Sequence, residues 1–154
     1  MKKPIVLIAI PLIVILTAVL GSLLTSGGMD WYDTINLPTW TPDGSIIGVV
    51  WTTLFLLMII ASILAYLKVD KKTYPLLASL FLLQAMLNVL WSDLFFNQHL
   101  LWLAFVEAIL LGLSVLGYAV AMWKTTKIGS LLLAPYVLWV FFASFLTYSV
   151  AILN

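Results

Sequence analysis

The stretch Ile46–Lys72, IIGVVWTTLFLLMIIASILAYLKVDKK, decides what kind of protein this is. From Ile46 to Leu67 it carries no charged side chain, and then Lys68, Lys71 and Lys72 follow in quick succession. A helix rises about 1.5 Å per residue, so crossing about 30 Å of hydrocarbon takes about 20 apolar residues. Ile46–Leu67 meets that length, and the lysines mark where the chain returns to water.

Four other segments read the same way: Ile5–Leu24, Tyr74–Phe96, Leu100–Trp123 and Ile128–Leu153. The expected fold is therefore an all-α membrane protein, a single bundle of five transmembrane helices over residues 1–154. The first segment fits a span better than a cleaved signal peptide, because the apolar run is long and Pro11 is tolerated in a helix packed against neighbours. Composition agrees: of 154 residues, 64% are hydrophobic and 8% charged, where a water-soluble domain needs about a quarter charged. A net charge of +1 without a clustered basic face excludes a nucleic-acid partner, and the absence of cysteine excludes disulfides and thiolate chemistry.

The cations set the topology. Lys2 and Lys3 precede the first helix, Lys68, Lys71 and Lys72 separate the second from the third, and Lys124 and Lys127 separate the fourth from the fifth. All seven fall on one side of a five-helix bundle, which the positive-inside rule makes cytoplasmic. The N-terminus is expected inside and the C-terminus outside, in a prokaryotic plasma membrane.

The one long loop, Ser26–Ser45, is acidic (Asp30, Asp33, Asp43), stiffened by Pro38 and Pro42, and aromatic through Trp31, Tyr32 and Trp40. It reads either as an interfacial aromatic belt or as a folded lid over the bundle mouth. Three helices carry stripes of aromatic and polar residues at three- and four-residue spacing: Ile47, Trp51, Phe55, Met58 and Ser62; Gln84, Asn88, Trp91 and Phe95; and Pro135, Trp139, Phe142, Ala143 and Leu146. A primary amide in hydrocarbon must find a partner, so Gln84 and Asn88 face inward. They either join helices together or line a pocket for a flat, mostly apolar ligand.

Three stretches carry a resemblance to a known family: Trp31–Phe55 (WYDTINLPTWTPDGSIIGVVWTTLF), Leu87–Phe96 (LNVLWSDLFF) and Pro135–Leu146 (PYVLWVFFASFL). Together, and in this order, they resemble the translocator protein family, TspO or the tryptophan-rich sensory proteins, also called peripheral-type benzodiazepine receptors. The resemblance implies five spans, usually a homodimer, and a first loop folded over an intramembrane pocket. It implies porphyrin ligands (protoporphyrin IX and haem), with sterols in mitochondrial members, and no required cofactor. By motif position it places Trp51, Asn88, Trp91, Trp139, Phe142 and Ala143 in the pocket and Tyr32, Pro38, Trp40 and Pro42 in the lid. Phe55, Gln84 and Leu146 join the ligand-binding set from their stripes.

The chain departs from the pattern where a Pro-Pro pair becomes Thr41-Pro42, which removes one conformational lock. A Leu-Asn pair becomes Leu146-Thr147, and Phe55 stands where tyrosine is usual. A sterol-recognition pattern after Tyr148 is incomplete for want of a basic residue. The expected function is a porphyrin-binding membrane receptor or carrier. The alternatives are a light-dependent porphyrin-degrading enzyme working through Trp51 and Trp139, or a proton-coupled transporter using Glu107.

Two carboxylates lie where charge is costly. Asp93 is expected to reach the headgroups or the lid; Glu107 is expected to line the pocket mouth, accept from a neighbouring helix, or stay protonated. His99 is a lone histidine in a turn, which argues against a metal site. Ala104, Ala108 and Gly112 form a small-residue seam for a neighbour within the chain or in a second copy.

Overall fold

The computed structural model describes residues 3–154, the side chain of Lys3 excepted; Lys2 lies outside the described residues. The chain runs as α1 (Lys3–Gly27), a one-turn α2 (Met29–Tyr32), α3 (Gly44–Lys68), α4 (Tyr74–Ser92) continuing as a π turn (Asp93–Asn97), α5 (Leu101–Met122), α6 (Lys127–Leu132) and α7 (Ala134–Leu153). Five helical stretches are long and apolar enough to span a bilayer, the last made of α6 and α7 together. Leu138, Val49 and Met86 each leave more than two thirds of their area exposed, while Gln84, Glu107 and Thr147 are buried. That inversion is stable only where the surrounding solvent is lipid.

Two of the spans differ from uninterrupted helices. The third ends in a π turn, in which Gln98 N–H donates to the Asp93 carbonyl (3.0 Å). The widened turn lets three consecutive side chains, Leu94, Phe95 and Phe96, be buried together, which regular helical geometry would not allow. The fifth span breaks at Leu133, because Pro135 lacks an N–H and crowds the preceding turn. Leu133 N–H turns back to the Ser130 carbonyl at 3.1 Å instead. Pro11, by contrast, sits inside an unbroken α1.

Close backbone approaches join α1 to α3 and α4, α3 to α6, and α5 to α4, α6 and α7. The five spans therefore close a ring in the order first, second, fifth, fourth, third. Without a hydrophobic drive between helices in lipid, such contacts depend on van der Waals fit and small residues. At Gly129 an added Cβ would lie 2.9 Å from Met122 Sδ and 3.2 Å from the Ala61 carbonyl, so glycine lets α6 settle against α3. Ala104, Ala108 and Gly112 are buried within the chain, and Phe141 of α7 covers Gly112. The small-residue seam is thus filled by the chain's own α7 and is not free for a second copy.

The ring is held differently at its two ends. At the lysine end, α6 pins the second span to the fifth, and Tyr118 Oη donates to Ser62 Oγ across the interior (3.0 Å). At the other end, α2 and the loop form a cover. Trp31 and Tyr32 pack on Phe95 and Phe96, and Trp31 stacks on His99 (4.0 Å between centroids). His99 closes the π turn at φ 58. An added Cβ at Gly28 would collide with the Phe96 carbonyl, so the approach of α2 to the π turn needs glycine.

Candidate ligand-binding site

The backbones of α3, α4 and α7 stay apart across the ring, and side chains occupy the space between them. Gln84 and Asn88 are one turn apart on α4 and both face inward, buried. Asn88 Nδ2 donates to Tyr136 Oη at 3.0 Å. Tyr136 Oη donates in turn to Gln84 Oε1 at 3.2 Å. Gln84 Nε2 returns to its own helix at the Phe81 carbonyl, 3.0 Å away. Tyr136 has no exposed surface, and its ring takes the edge or face of Trp51 at 5.8 Å. The two amides do join helices, and they do so through a phenol.

Sequence reasoning placed Tyr136 in a motif without giving it a role. The rule applied to Asn88 would have found it, because a hydroxyl deep in a span also needs a partner. The fifth-helix stripe is offset in consequence. The face of α7 turned fully inward carries Tyr136, Val140, Ser144 and Thr147, and Pro135 is exposed. Trp139, Phe142, Ala143 and Leu146 form the half-buried flank beside it.

The remaining site residues divide between two levels. Trp51, Phe55 and Trp139 pack with the main core, Trp51 against Phe55 at 5.5 Å and Trp139 against Phe142 at 5.2 Å. Tyr32, Trp91 and Leu146 pack with the cluster under the cover, where Trp91 stacks on Phe95 at 5.1 Å. Burial pushes the Tyr32 phenol up, with Asp33 adding to the effect. Trp40 is a partial exception to a lid that faces inward: it is 43% exposed and stacks on Phe145 (5.4 Å), with Phe142 edge-on at 5.9 Å. The loop is therefore strapped across the outside of α7.

The strap is held by four further hydrogen bonds. Asn36 N–H donates to Asn154 Oδ1 (2.9 Å), and Asn154 Nδ2 donates back to the Asn36 carbonyl (2.9 Å). Thr41 donates twice to the Pro38 carbonyl, from N–H at 3.0 Å and from Oγ1 at 2.7 Å. The conformational lock lost with a proline at 41 is replaced by these bonds. Pro42 then leads into α3 through Asp43. Thr147 likewise donates to its own Ala143 carbonyl (2.9 Å) and offers the interior no free polar group.

Two cavities lie away from these residues. One of about 170 Å³ sits among α1, α3, α4 and α5 beside Ile10, Ser62, Tyr66, Phe81 and Tyr118. The other, about 540 Å³, is a groove between α1 and α4 that ends near Asp93. Neither is lined by an expected site residue. Between α3, α4 and α7 the expected site is packed by its own aromatic rings.

Its polar atoms are nonetheless incompletely paired. Among the described residues, the buried side-chain atoms without a partner are Trp91 Nε1, Trp139 Nε1 and both Glu107 oxygens. Nearly all such atoms in folded proteins are paired, so these four stand out. Glu107 is 4% exposed and accepts no bond from a neighbouring helix, which removes one of the three expectations for it. Asp93 is held locally by Gln98 Nε2. Among the described residues, no three His, Cys, Asp or Glu side chains gather at metal-binding distance.

Comparison with known proteins extends this picture. The chain is 33% identical to protein CrtK of Rhodobacter capsulatus over 135 residues, 87% of this chain and 83% of that one. It is 33% identical to the tryptophan-rich protein TspO of Bacillus cereus over 126 residues, 80% of each. It is 30% identical to the human translocator protein over 127 residues, 80% of this chain and 74% of that one. Residues 8–153 match the TspO/MBR family from end to end of the five-helix ring. The chain is an integral membrane protein of the TspO/MBR family.

Proposed function

We propose that this protein is a membrane receptor or carrier that binds porphyrins, such as protoporphyrin IX or haem, and related flat apolar molecules between α3, α4 and α7. The observation that carries the reading is the pair of buried indole N–H groups, Trp91 and Trp139, which have no acceptor among the described residues. Both stand on inward or flanking stripes, at the two levels of the same interior. A ligand acceptor would satisfy them, while Trp51, Trp91 and Trp139 supply ring faces for stacking at about 1 kcal/mol per contact beyond area burial. Entry requires these rings to turn outward. The strap over α7 is the element that yields, because Trp40, which holds it on Phe145, is itself 43% exposed.

The lysine end is read as cytoplasmic, which places the strap and the C-terminus outside the cell. Titration of protoporphyrin IX against tryptophan fluorescence tests the function. Trp91→Phe and Trp139→Phe keep a ring and remove the N–H. Each is expected to weaken binding by about tenfold, in line with about 1–2 kcal/mol for a buried donor. Absence of saturable quenching in the wild-type protein, or no change in either variant, overturns the reading.

A further inference from the structure

Among the described residues, Glu107 is the buried carboxylate of the ring that has no partner. It lies eleven residues before Tyr118 on α5, which is three turns with an offset of about 20°, so the two side chains leave the helix in nearly the same direction. Tyr118 points across the interior, since its hydroxyl reaches Ser62 on α3 and its ring meets Phe81 on α4. Glu107 therefore faces the same interior, closer to the strap. It is six residues from Leu101 at the start of α5, and Trp91 is six residues from Asn97 at the end of the π turn. Both lie about 9 Å below the strap end. A buried acceptor without a donor and a buried donor without an acceptor thus share one level of one interior.

The charge around that level has a single sign. Asp30, Asp33 and Asp43 belong to the loop, and Asp93 opens the π turn, all at the strap end. The lysines at 68, 71, 72, 124 and 127 flank the turns at the opposite end. His99, at the strap end, has its ring stacked on Trp31 and its Nε2 on the Phe96 carbonyl. No basic side chain of the described residues approaches Glu107 within salt-bridge or hydrogen-bond reach.

We propose that Glu107 is a specificity-determining residue of the intramembrane site, and that it selects flat aromatic ligands bearing a positively charged N–H group over neutral ligands of similar shape. The proposal rests on the reading that flat aromatic molecules bind between α3, α4 and α7. A ligand cation there gains the Glu107 carboxyl and the Trp91 face together, and a cation over a desolvated indole is worth about 2 kcal/mol. The acidic loop raises the local concentration of the same ligands at the entrance.

The test compares 9-aminoacridine, cationic at neutral pH, with acridine, neutral at the same pH, in nanodiscs of zwitterionic phosphatidylcholine, reading tryptophan quenching. Wild-type protein is expected to bind the cation about tenfold more tightly than acridine. Glu107→Gln and Glu107→Met bring that ratio to about one through loss of affinity for the cation. Asp93→Asn, which alters a carboxylate already held by Gln98, preserves the ratio. Protoporphyrin IX, which carries no cationic N–H group, loses less affinity than 9-aminoacridine in Glu107→Gln. A wild-type ratio near one, a ratio unmoved in both Glu107 variants, or an equal loss of cation and porphyrin binding overturns the proposal. If the acridines and the porphyrin all fail to bind wild-type protein, the underlying site reading falls as well; if they bind without charge preference, only the role of Glu107 falls.

Discussion

Replacing Tyr136 with phenylalanine isolates the phenol that links α4 to α7. The ring and its contact with Trp51 remain, so the change is confined to one oxygen. That oxygen accepts from Asn88 and donates to Gln84, and all three residues are buried. Its removal leaves an amide N–H and an amide carbonyl oxygen unpaired. Interhelical hydrogen bonds in membrane proteins average about 0.6 kcal/mol, which for two bonds sets a floor of about 1 kcal/mol. Orphaning a buried polar group costs about 1–3 kcal/mol, so the expected loss is about 2 kcal/mol. For a chain of this length that lowers the melting temperature by about 4–8 °C. Thermal unfolding in detergent, followed by tryptophan fluorescence, measures it. Adding Gln84→Leu and Asn88→Leu to Tyr136→Phe should recover part of the loss, because no unpaired group then remains. A Tyr136→Phe protein with an unchanged melting temperature would show that the triad does not hold the helices together.

Four further outcomes are expected. Gly28→Ala places a methyl group into the Phe96 carbonyl, so it should dislodge α2 from the π turn and lower the melting temperature by several degrees; a neutral result would disprove that packing. Asn154→Ala removes both bonds to Asn36, and hydrogen exchange over residues 33–43 should accelerate while exchange in α4 does not. Asp70 accepts from Thr73 N–H and Oγ1 and from Lys72 N–H, which holds its carboxyl below the usual range. The stability it gives is present above the ordinary carboxylate value and is lost as pH falls through the lower folded-state value; Asp70→Asn should flatten that acid limb of the melting curve. The Tyr32 phenol is raised by burial, so its contribution is present below the ordinary tyrosine value and disappears as pH rises through the folded-state value. Alkaline difference absorbance of Tyr32→Phe should lose one phenol from the late-titrating group and leave the normally titrating phenols unchanged.

The spans were legible because bilayer thickness imposes a length and a composition on each. The expected boundaries at Ile46–Leu67 and Tyr74–Phe96 fall within a few residues of α3 and of α4 with its π turn. What periodicity misses is any departure from 3.6 residues per turn. The π turn at Asp93–Asn97 buries Leu94, Phe95 and Phe96 in a row, and no helical wheel places three consecutive residues on one face. On α7 the stripe through Pro135 and Trp139 is one residue off the inward face of Tyr136, Val140, Ser144 and Thr147, because the polar and small residues, not the most aromatic ones, turn to the interior. Asn88 was legible because its polarity is conspicuous in an apolar segment. Tyr136 was not, since tyrosine is as common at a membrane surface as in a core, and only the chain's path shows which it is.

The two ends of the ring divide the work of holding it. At the lysine end, α6 lies on α3 through Gly129, and Tyr118 bonds across to Ser62, so backbone fit and a direct hydrogen bond close the bundle. At the strap end, closure is by aromatic stacking, by the Asn36–Asn154 pair and by the Pro38–Thr41 turn. These ties are exposed or half-exposed, so each is individually weak and reversible, whereas the opposite end is buried. Opening should therefore begin under Trp40, beside Phe142 and Phe145, and reach Trp139 before it reaches Tyr136. A guest arriving by that route passes the acidic loop first, then Trp91 at the level of Glu107, and meets the paired amides only at the deepest point. Charge would thus be sorted near the entrance and shape further in, and Glu107 is the residue at which the first of those selections is made.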